Sequence, residues 1–209
     1  MKLLDCPGWN QDDDSTLPGM AQAASAFYAF LQRQNPKGYI LTHGDLKEWH
    51  RKFFKDIVLV PYYAGNYRRI DQNKPCLNKE VEVNGVFGAP ARDVESRMKK
   101  FSEALGEMTN AADQYLKTPR SLVLRVQTAT QIAAYAGGSI IQIHPFLNGN
   151  GRIARMAMNF FLHRYLDRIP FYVDRPANPD YSRASAVAMQ TGNFIPLYQY
   201  LIELLATLP

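Results

Sequence analysis

The chain has 209 residues, of which 46% are hydrophobic and 21% charged, and 24 basic against 19 acidic side chains give a formal net charge of +5. This balance excludes an intrinsically disordered polymer, because such chains have fewer apolar residues and a larger charge imbalance. A chain of this length buries roughly 70% of the surface that its unfolded form exposes. No run of about 18 apolar residues is present, so a membrane-spanning helix is not expected. The mild positive charge favours an anionic partner without indicating nucleic acid.

The first part of the chain predicts an arm followed by two helices. Residues 1–19 are rich in Gly, Pro, Asp and Ser and are expected to form an irregular N-terminal arm, whereas residues 20–209 are expected to form a single domain. Apolar residues at helical spacing predict a first helix over residues 20–34. A second helix is predicted from Thr42, which can cap it, to Phe54, because its apolar residues form one stripe.

A β-hairpin and further helices are predicted in the remainder. Valines alternate on both sides of Asn84-Gly85, a pair that tolerates positive φ and is the strongest short-range hairpin signal. Helical spacing continues over residues 91–116, 119–136, 152–166 and 180–205. The second of these helices is expected to begin at Pro119 with Thr118 as its cap, and the last to be interrupted near Gly192. The sequence therefore predicts a mostly α fold with one small hairpin.

The cysteines and histidines indicate no metal site. Cys6 and Cys76 form neither a disulfide framework nor a zinc site, because both need closer or more numerous ligands, and a reducing, cytoplasmic compartment is expected. His43, His50 and His163 lack ligand spacing with one another, which favours structural or surface roles.

The segment IHPFLNGNGRIAR joins an apolar helix to an amphipathic helix and carries the chemistry. Gly149 and Gly151 let backbone N–H groups converge at the start of the second helix, where the helix dipole favours an anion. Arg152 and Arg155 project from one side of its first turn and suit a polyphosphate. His144 is the side chain of the loop with a pKa suited to general base catalysis. The alternative is a structural glycine-rich loop with a hydrogen-bonded histidine.

This segment resembles the loop motif of the Fic (filamentation induced by cAMP) family, H-P-F-x-[D/E]-G-N-G-R-x-x-R. The residues in register are His144, Pro145, Phe146, Gly149, Asn150, Gly151, Arg152 and Arg155. LKEWHRKFF, the AGNYR turn, the hairpin and PDYSRASAVAMQTGNFIPL also resemble elements of that family, so the likeness extends over roughly residues 42–205. The resemblance implies a Fic-type helical bundle with a hairpin flap. It also implies an enzyme that transfers AMP from ATP to a Ser, Thr or Tyr hydroxyl of a target protein.

The resemblance assigns roles to the motif residues. His144 is expected to take the proton of the attacking hydroxyl. The ATP phosphates are expected to bind the backbone of the glycine turn and the two arginines, with the Asn150 amide near the α-phosphate. These phosphate-binding residues are Gly149, Asn150, Gly151, Arg152 and Arg155. Pro145 is expected to hold His144 in an extended conformation, and Phe146 to anchor the loop in the core.

One position departs from the motif, since Asn148 stands where the family usually has an Asp or Glu that binds Mg²⁺. Its amide oxygen can bind Mg²⁺ but brings no charge, so weaker binding is expected. A catalytically weakened module that binds nucleotide or protein, and transfer of UMP or phosphocholine, stay open. Gly149 and Gly151 favour AMP, because phosphocholine-transferring relatives tend to have Ala at the first position and phosphorylating relatives have Lys at the second.

The sequence alone leaves open that the hairpin simply covers the core. By the resemblance, it stands where family members have the flap that holds their targets, so the target chain is expected to pair with its edge. The flap residues are Val83, Asn84, Gly85, Val86 and Phe87. Many relatives inhibit themselves through a Glu followed by Gly or Asn, and no Glu of this sequence is so followed. Restraint is therefore expected from a separate antitoxin-like protein or from the arm. Neither a membrane nor nucleic acid is expected as a partner, and the protein is expected to act in its own or, as a secreted effector, a host cytoplasm.

Overall fold

Seven α-helices and one hairpin are present in the computed structural model, which describes residues 6–9, 17–33, 38–174 and 177–208. The helices are α1 (Leu17–Arg33), α2 (His43–Phe54), α3 (Val94–Tyr115), α4 (Leu122–Ile143), α5 (Asn150–Leu166), α6 (Pro179–Thr191) and α7 (Ile195–Ala206). Strands β1 (Glu82–Val83) and β2 (Val86–Phe87) pair antiparallel. Short 3₁₀ turns lie at Pro61–Tyr63 and Pro75–Leu77. The prediction of a mostly α fold with one small hairpin is confirmed.

The paired helices α4 and α5 form the centre of the core. Helices α3, α6 and α7 pack on α4, α2 packs on α5, and one cluster of buried side chains extends from α1 to α7. Helix α5 is buried along most of its length, with Ile153, Ala157 and Phe161 fully enclosed. The loop between α4 and α5 is therefore fixed at both ends by the most buried helices of the fold. Among the described helices, none is long and apolar enough to cross a membrane.

Local signals set the start of α2 and the turn of the hairpin as predicted. The Thr42 hydroxyl accepts a hydrogen bond from the Asp45 N–H at 3.3 Å, and the Asp45 carboxylate accepts one from the Thr42 N–H at 2.7 Å, which together form a capping box. Asn84 and Gly85 have φ angles of 51° and 81°, the positive values that a tight hairpin turn requires.

The predicted bounds of α4 are wrong at both ends. Ser121 and not Thr118 caps the helix, accepting a hydrogen bond from the Leu124 N–H, so Pro119 precedes it. The helix also continues through Gly137-Gly138 to Ile143. Its second half is almost wholly buried against neighbouring helices, and this burial outweighs the weak helix propensity of glycine.

The structure also refines the predicted C-terminal helices and the predicted N-terminal arm. The C-terminal segment forms two helices, because Gly192 adopts a φ of 70° at the end of α6, while Pro196 lies in the first turn of α7. Of the predicted arm, residues 6–9 are irregular and Leu17–Gly19 already belong to α1, whereas residues 1–5 and 10–16 lie outside the described residues. The division into an arm and one domain stays a prediction.

The interpretation of the two cysteines as unpaired is wrong, because Cys6 and Cys76 form a disulfide across 70 residues of chain. A single pair this far apart carries no spacing signal in the sequence. In the structure, Cys6 lies beside the 3₁₀ turn at Pro75–Leu77, and its sulfur bonds that of Cys76. The expectation of a reducing compartment rested on unpaired cysteines and loses that support.

Candidate active site

His144 ends α4 in a left-handed conformation, with φ 52° and ψ 58°. The extended backbone expected before Pro145 is therefore wrong. Residues with a side chain avoid this region, and a following proline restricts the choice further. The conformation is held from both sides: the His144 N–H donates to the Ile140 carbonyl at 2.9 Å, and the His144 carbonyl accepts from Arg68 Nε at 2.8 Å. A strained backbone that its neighbours maintain is typical of a functional position.

The ring of His144 has the protonation state of a base. Its Nδ1 lies 3.2 Å from the Ile141 carbonyl, a bond that this nitrogen makes as a donor and that leaves Nε2 with its lone pair. Burial lowers the pKa of His144 to about 4, the nearby Arg68 guanidinium acts in the same direction, and the bond to Ile141 opposes them. The ring is therefore neutral at pH 7 and able to accept a proton.

A second histidine, His50, contacts two residues of the loop, Phe146 and Asn148. Phe146 is fully buried and stacks on His50, with ring centroids 3.8 Å apart and planes inclined by 15°. His50 Nδ1 accepts from the Gly65 N–H at 2.9 Å, so Nε2 carries the proton and donates to the Asn148 carbonyl at 3.0 Å. Burial lowers the pKa of His50 to about 3, which fixes this neutral form. His50 is thus structural.

The side chain of Asn150 closes the loop. Its Oδ1 accepts from the Phe146 N–H at 2.8 Å and its Nδ2 donates to the Phe146 carbonyl at 2.9 Å, so both polar atoms are engaged within the loop and the side chain is not directed at a ligand. Gly149 precedes it as the N-cap of α5, with a φ of 81° and no side-chain cap. The first N–H groups of a helix have no partner within it. Those of Asn150 and Gly151 therefore suit an anion at this helix start.

The two arginines of the motif lie in the protein interior at the start of α5. Arg152 and Arg155 are 2% and 4% exposed. Arg152 Nε donates to the Val173 carbonyl at 3.0 Å, and the Arg155 guanidinium lies 6.0 Å from the centre of the Tyr181 ring. A positive charge in such surroundings attracts an anion more strongly than one in water.

The residues at position 148 and around it do not fit an Mg²⁺ site. Asn148 Oδ1 accepts from the Gly149 N–H at 2.8 Å, and Nδ2 donates to the Trp9 carbonyl at 2.6 Å. Within the described ranges no group of three or more His, Cys, Asp or Glu side chains is placed to hold a metal. The amide oxygen is thus engaged inside the loop.

Arg68 connects the hairpin to the loop between α4 and α5, and the sequence indicates no role for it. Its side chain is fully buried. It donates to the Ala89 carbonyl after the flap at 2.7 Å, to the Lys79 carbonyl before it at 3.2 Å, and to the carbonyl of His144. The motif AGNYR contained this arginine, but no local pattern showed that its partners come from three separate segments.

The register of the hairpin decides which flap residues face outward. Val83 pairs with Val86, and Val86 packs on the core. Val83 is 39% exposed, and Phe87 is 63% exposed. The Phe87 ring is therefore an exposed apolar surface on β2, the strand that leads to Gly88. Gly88, the next residue, lies so close to His144 that a Cβ atom on Gly88 would be 2.6 Å from the His144 Cβ.

The sequence model of the Fic/DOC family matches residues 40–162. The chain belongs to the Fic/DOC family. It is 28% identical over 157 residues to the protein adenylyltransferase Fic of Culex quinquefasciatus, a match that covers 75% of this chain and 26% of that protein. The protein of the same name from Drosophila persimilis is 27% identical, with 75% and 25% covered. The chain thus spans about a quarter of the length of the curated relatives it matches.

Solved structures of Fic proteins share the fold. BepC of Bartonella tribocorum, solved with bound AMPPNP, superposes with a TM-score of 0.61 and 17% identity, covering 92% of this chain and 87% of that one. A Fic domain containing signaling protein from Bacteroides thetaiotaomicron gives 0.60 and 19% identity, with 90% and 69% covered. The Fic-type bundle is therefore confirmed.

Two glycines of the Fic loop are expected to respond differently to alanine. A Cβ at Gly149 would lie 2.5 Å from Phe54, and its φ is 81°, so Gly149→Ala should lower the free energy of unfolding by about 2–4 kcal/mol. Gly151→Ala meets no atom within 4 Å and should leave stability unchanged or slightly higher. Urea denaturation of both variants measures this difference. Equal stabilities would show that the turn does not need the Gly149 conformation.

Proposed function

We propose that this chain transfers AMP from ATP to a hydroxyl side chain of a target protein. The observation that carries the proposal is a neutral His144 at the end of α4, in the same loop as the uncapped start of α5. The hydroxyl oxygen attacks the α-phosphorus, and its proton passes to His144 Nε2. The bond from the α-phosphorus to the bridging oxygen breaks, and pyrophosphate leaves. The name protein adenylyltransferase, carried by the similar proteins, supports this reaction.

ATP is the expected substrate, and the loop and α5 offer hydrogen-bond donors for its phosphates. The N–H groups of Asn150 and Gly151 would bind the α- and β-phosphates, since α5 starts with the positive end of its dipole there. The guanidinium groups of Arg152 and Arg155 would neutralise charge on the β- and γ-phosphates and orient the leaving pyrophosphate. AMPPNP bound to the similar BepC fold supports ATP as the donor.

The target would approach along the flap. An extended segment can pair with the hairpin edge, and the exposed Phe87 ring gives it an apolar contact. Because Arg68 ties the residues before and after the flap to the carbonyl of His144, a segment on the flap is held in fixed register with the base. A separate antitoxin-like inhibitor and a cytoplasmic location stay predictions.

A second candidate is a nucleotide-binding module without transfer. The uncharged Asn148, whose amide is engaged by Gly149 and Trp9, favours it, because the loop then adds no negative ligand for a metal that accompanies ATP. The two candidates share the phosphate-binding turn and differ in whether a covalent product forms.

Intact-mass analysis separates these functions. The chain is incubated with a lysate and ATP, UTP or CDP-choline, and ATP affinity is measured by calorimetry. We expect an added AMP on the chain or on a lysate protein with ATP, and none with the His144→Asn variant. ATP binding without any adduct would contradict transfer and support the module. An adduct with UTP or CDP-choline alone would contradict AMP as the transferred group.

A further inference from the structure

Residues 6–9, here called the strap, are fixed at one end by the Cys6–Cys76 disulfide. Cys76 is 5% exposed and lies in the 3₁₀ turn Pro75–Leu77. Cys6 is half-buried. The buried turn is therefore the anchor, and the Cys6 sulfur is the side of the disulfide that a solvent thiol reaches.

The other end of the strap lies on the active-site loop. The indole of Trp9 packs edge-on against Phe54, with ring centroids 4.9 Å apart. The Trp9 carbonyl accepts a hydrogen bond from Asn148 Nδ2 at 2.6 Å, and the Pro7 carbonyl accepts one from the Tyr63 hydroxyl at 3.2 Å. The strap thus joins the disulfide to the residue at which the sequence departs from the Fic motif.

Asn148 transmits this contact to the phosphate-binding turn. Its Oδ1 accepts from the Gly149 N–H at 2.8 Å, and its carbonyl accepts from His50 Nε2 at 3.0 Å. Gly149 is the N-cap of α5, so the direction of the N–H groups of Asn150 and Gly151 depends on how this residue is held. Trp9, His50 and Gly149 together therefore fix the position of Asn148.

We infer that the strap is a redox-sensitive positioning element for the phosphate-binding turn. With the disulfide closed, Trp9 stays beside Asn148 at high effective concentration and the turn is preorganised. With the disulfide open, the four strap residues retain two hydrogen bonds and the two ring contacts of Trp9 with Phe54 and His50, and without the covalent anchor they separate from the loop. An acidic residue at position 148 would place a carboxylate oxygen against the Trp9 carbonyl, whereas the amide of Asn148 donates to it.

Opening the strap requires a dithiol reductant. A thiolate of the reductant attacks the Cys6 sulfur, the S–S bond breaks, and Cys76 leaves as a thiolate that takes up a proton. The second thiol of the reductant then resolves the mixed disulfide and releases the Cys6 thiol. Two electrons pass to the protein, and the reductant becomes a disulfide.

Hydrogen exchange with and without dithiothreitol tests the strap itself. On reduction, the Gly149 amide, which donates to Asn148 Oδ1, and the Arg152 and Ile153 amides, which donate to the Gly149 carbonyl, should exchange about tenfold faster, because the turn loses the contact with Trp9. In a Trp49→Phe chain, Trp9 is the remaining tryptophan, and its fluorescence should shift towards that of an exposed indole. The affinity for ATP should fall about five- to tenfold. Unchanged exchange and fluorescence, with thiol titration confirming reduction, would overturn the inference.

Two variants test the route through Asn148. Cys6→Ser should show the reduced properties without reductant and should not respond to dithiothreitol. In an Asn148→Ala chain, reduction should still expose Trp9 but should no longer change ATP affinity, since the coupling contact is absent. A full affinity loss in that chain would contradict the proposed route. The effect on ATP rests on the proposed function, whereas exchange and fluorescence report strap release even if no AMP is transferred.

Discussion

Replacing His144 by asparagine is expected to lower kcat for AMP transfer by about 10²–10⁴-fold and to leave ATP affinity nearly unchanged. Asparagine is chosen because it tolerates the left-handed φ of 52° found at this position. The variant lacks the basic Nε2 but keeps the backbone carbonyl that accepts from Arg68. The measurement is the rate of labelled AMP incorporation at saturating ATP, with calorimetry for ATP binding.

The matched control is His163→Asn, which removes the same ring from the last turn of α5, far from the loop. His163 faces the exposed Asp167 carboxylate at 3.0 Å, so its loss should change kcat less than about twofold. If His144→Asn retained full kcat, the proton would go to another acceptor, and the assignment of His144 as the base would be wrong.

The pKa of His144 gives this prediction a second readout. Because burial lowers the pKa to about 4, the ring of the free chain stays neutral from about pH 5 upward. NMR titration of its ring protons should therefore show a midpoint near 4 and not near the ordinary 6.5. Between these two values the unfolded chain binds a proton that the folded chain does not, so stability should decrease as the pH falls through this window. A midpoint near 6.5 would contradict the lowering of the His144 pKa by burial.

The parts of the fold that the sequence predicted correctly depend on neighbouring residues. Thr42 and Asp45 form a capping box, and Asn84-Gly85 forms the hairpin turn, because in each case both partners lie within a few residues of chain. The bounds of α4 were missed for the opposite reason. Its end at Ile143 is set by burial against helices that are distant in sequence.

In the candidate site, too, the sequence predicted the residues that are close along the chain and missed the contacts between distant ones. The motif identified His144 and the two arginines, since their spacing is local. The residues that hold the loop in place come from elsewhere: Trp9 and His50 bond Asn148 across 139 and 98 residues. One sequence gives no signal for such pairs. Asn148, which the motif predicts as a metal ligand, is hydrogen-bonded to Trp9 and Gly149 in the structure, and the sequence alone does not indicate these bonds.

Arg68→Met is expected to lower the free energy of unfolding by about 3–5 kcal/mol, because several interior carbonyls lose their hydrogen-bond donor. The guanidinium is fully buried and donates to the carbonyls of His144, Ala89, Ile143 and Lys79. Methionine fills similar volume but leaves these carbonyls without a donor in the interior. Urea denaturation measures the loss of stability. The AMP-transfer rate under native conditions should also fall, because no side chain then joins the residues around the flap to His144.

Arg69→Met is the matched control, with the same chemical change one residue later. Arg69 is 37% exposed and pairs with Asp71 at the surface, so its loss should cost less than about 1 kcal/mol. If Arg68→Met does not fold, Arg68→Lys keeps the charge but cannot serve carbonyls in three directions, and an intermediate loss is expected. Equal stabilities of the two methionine variants would show that the buried guanidinium does not hold the flap to the loop.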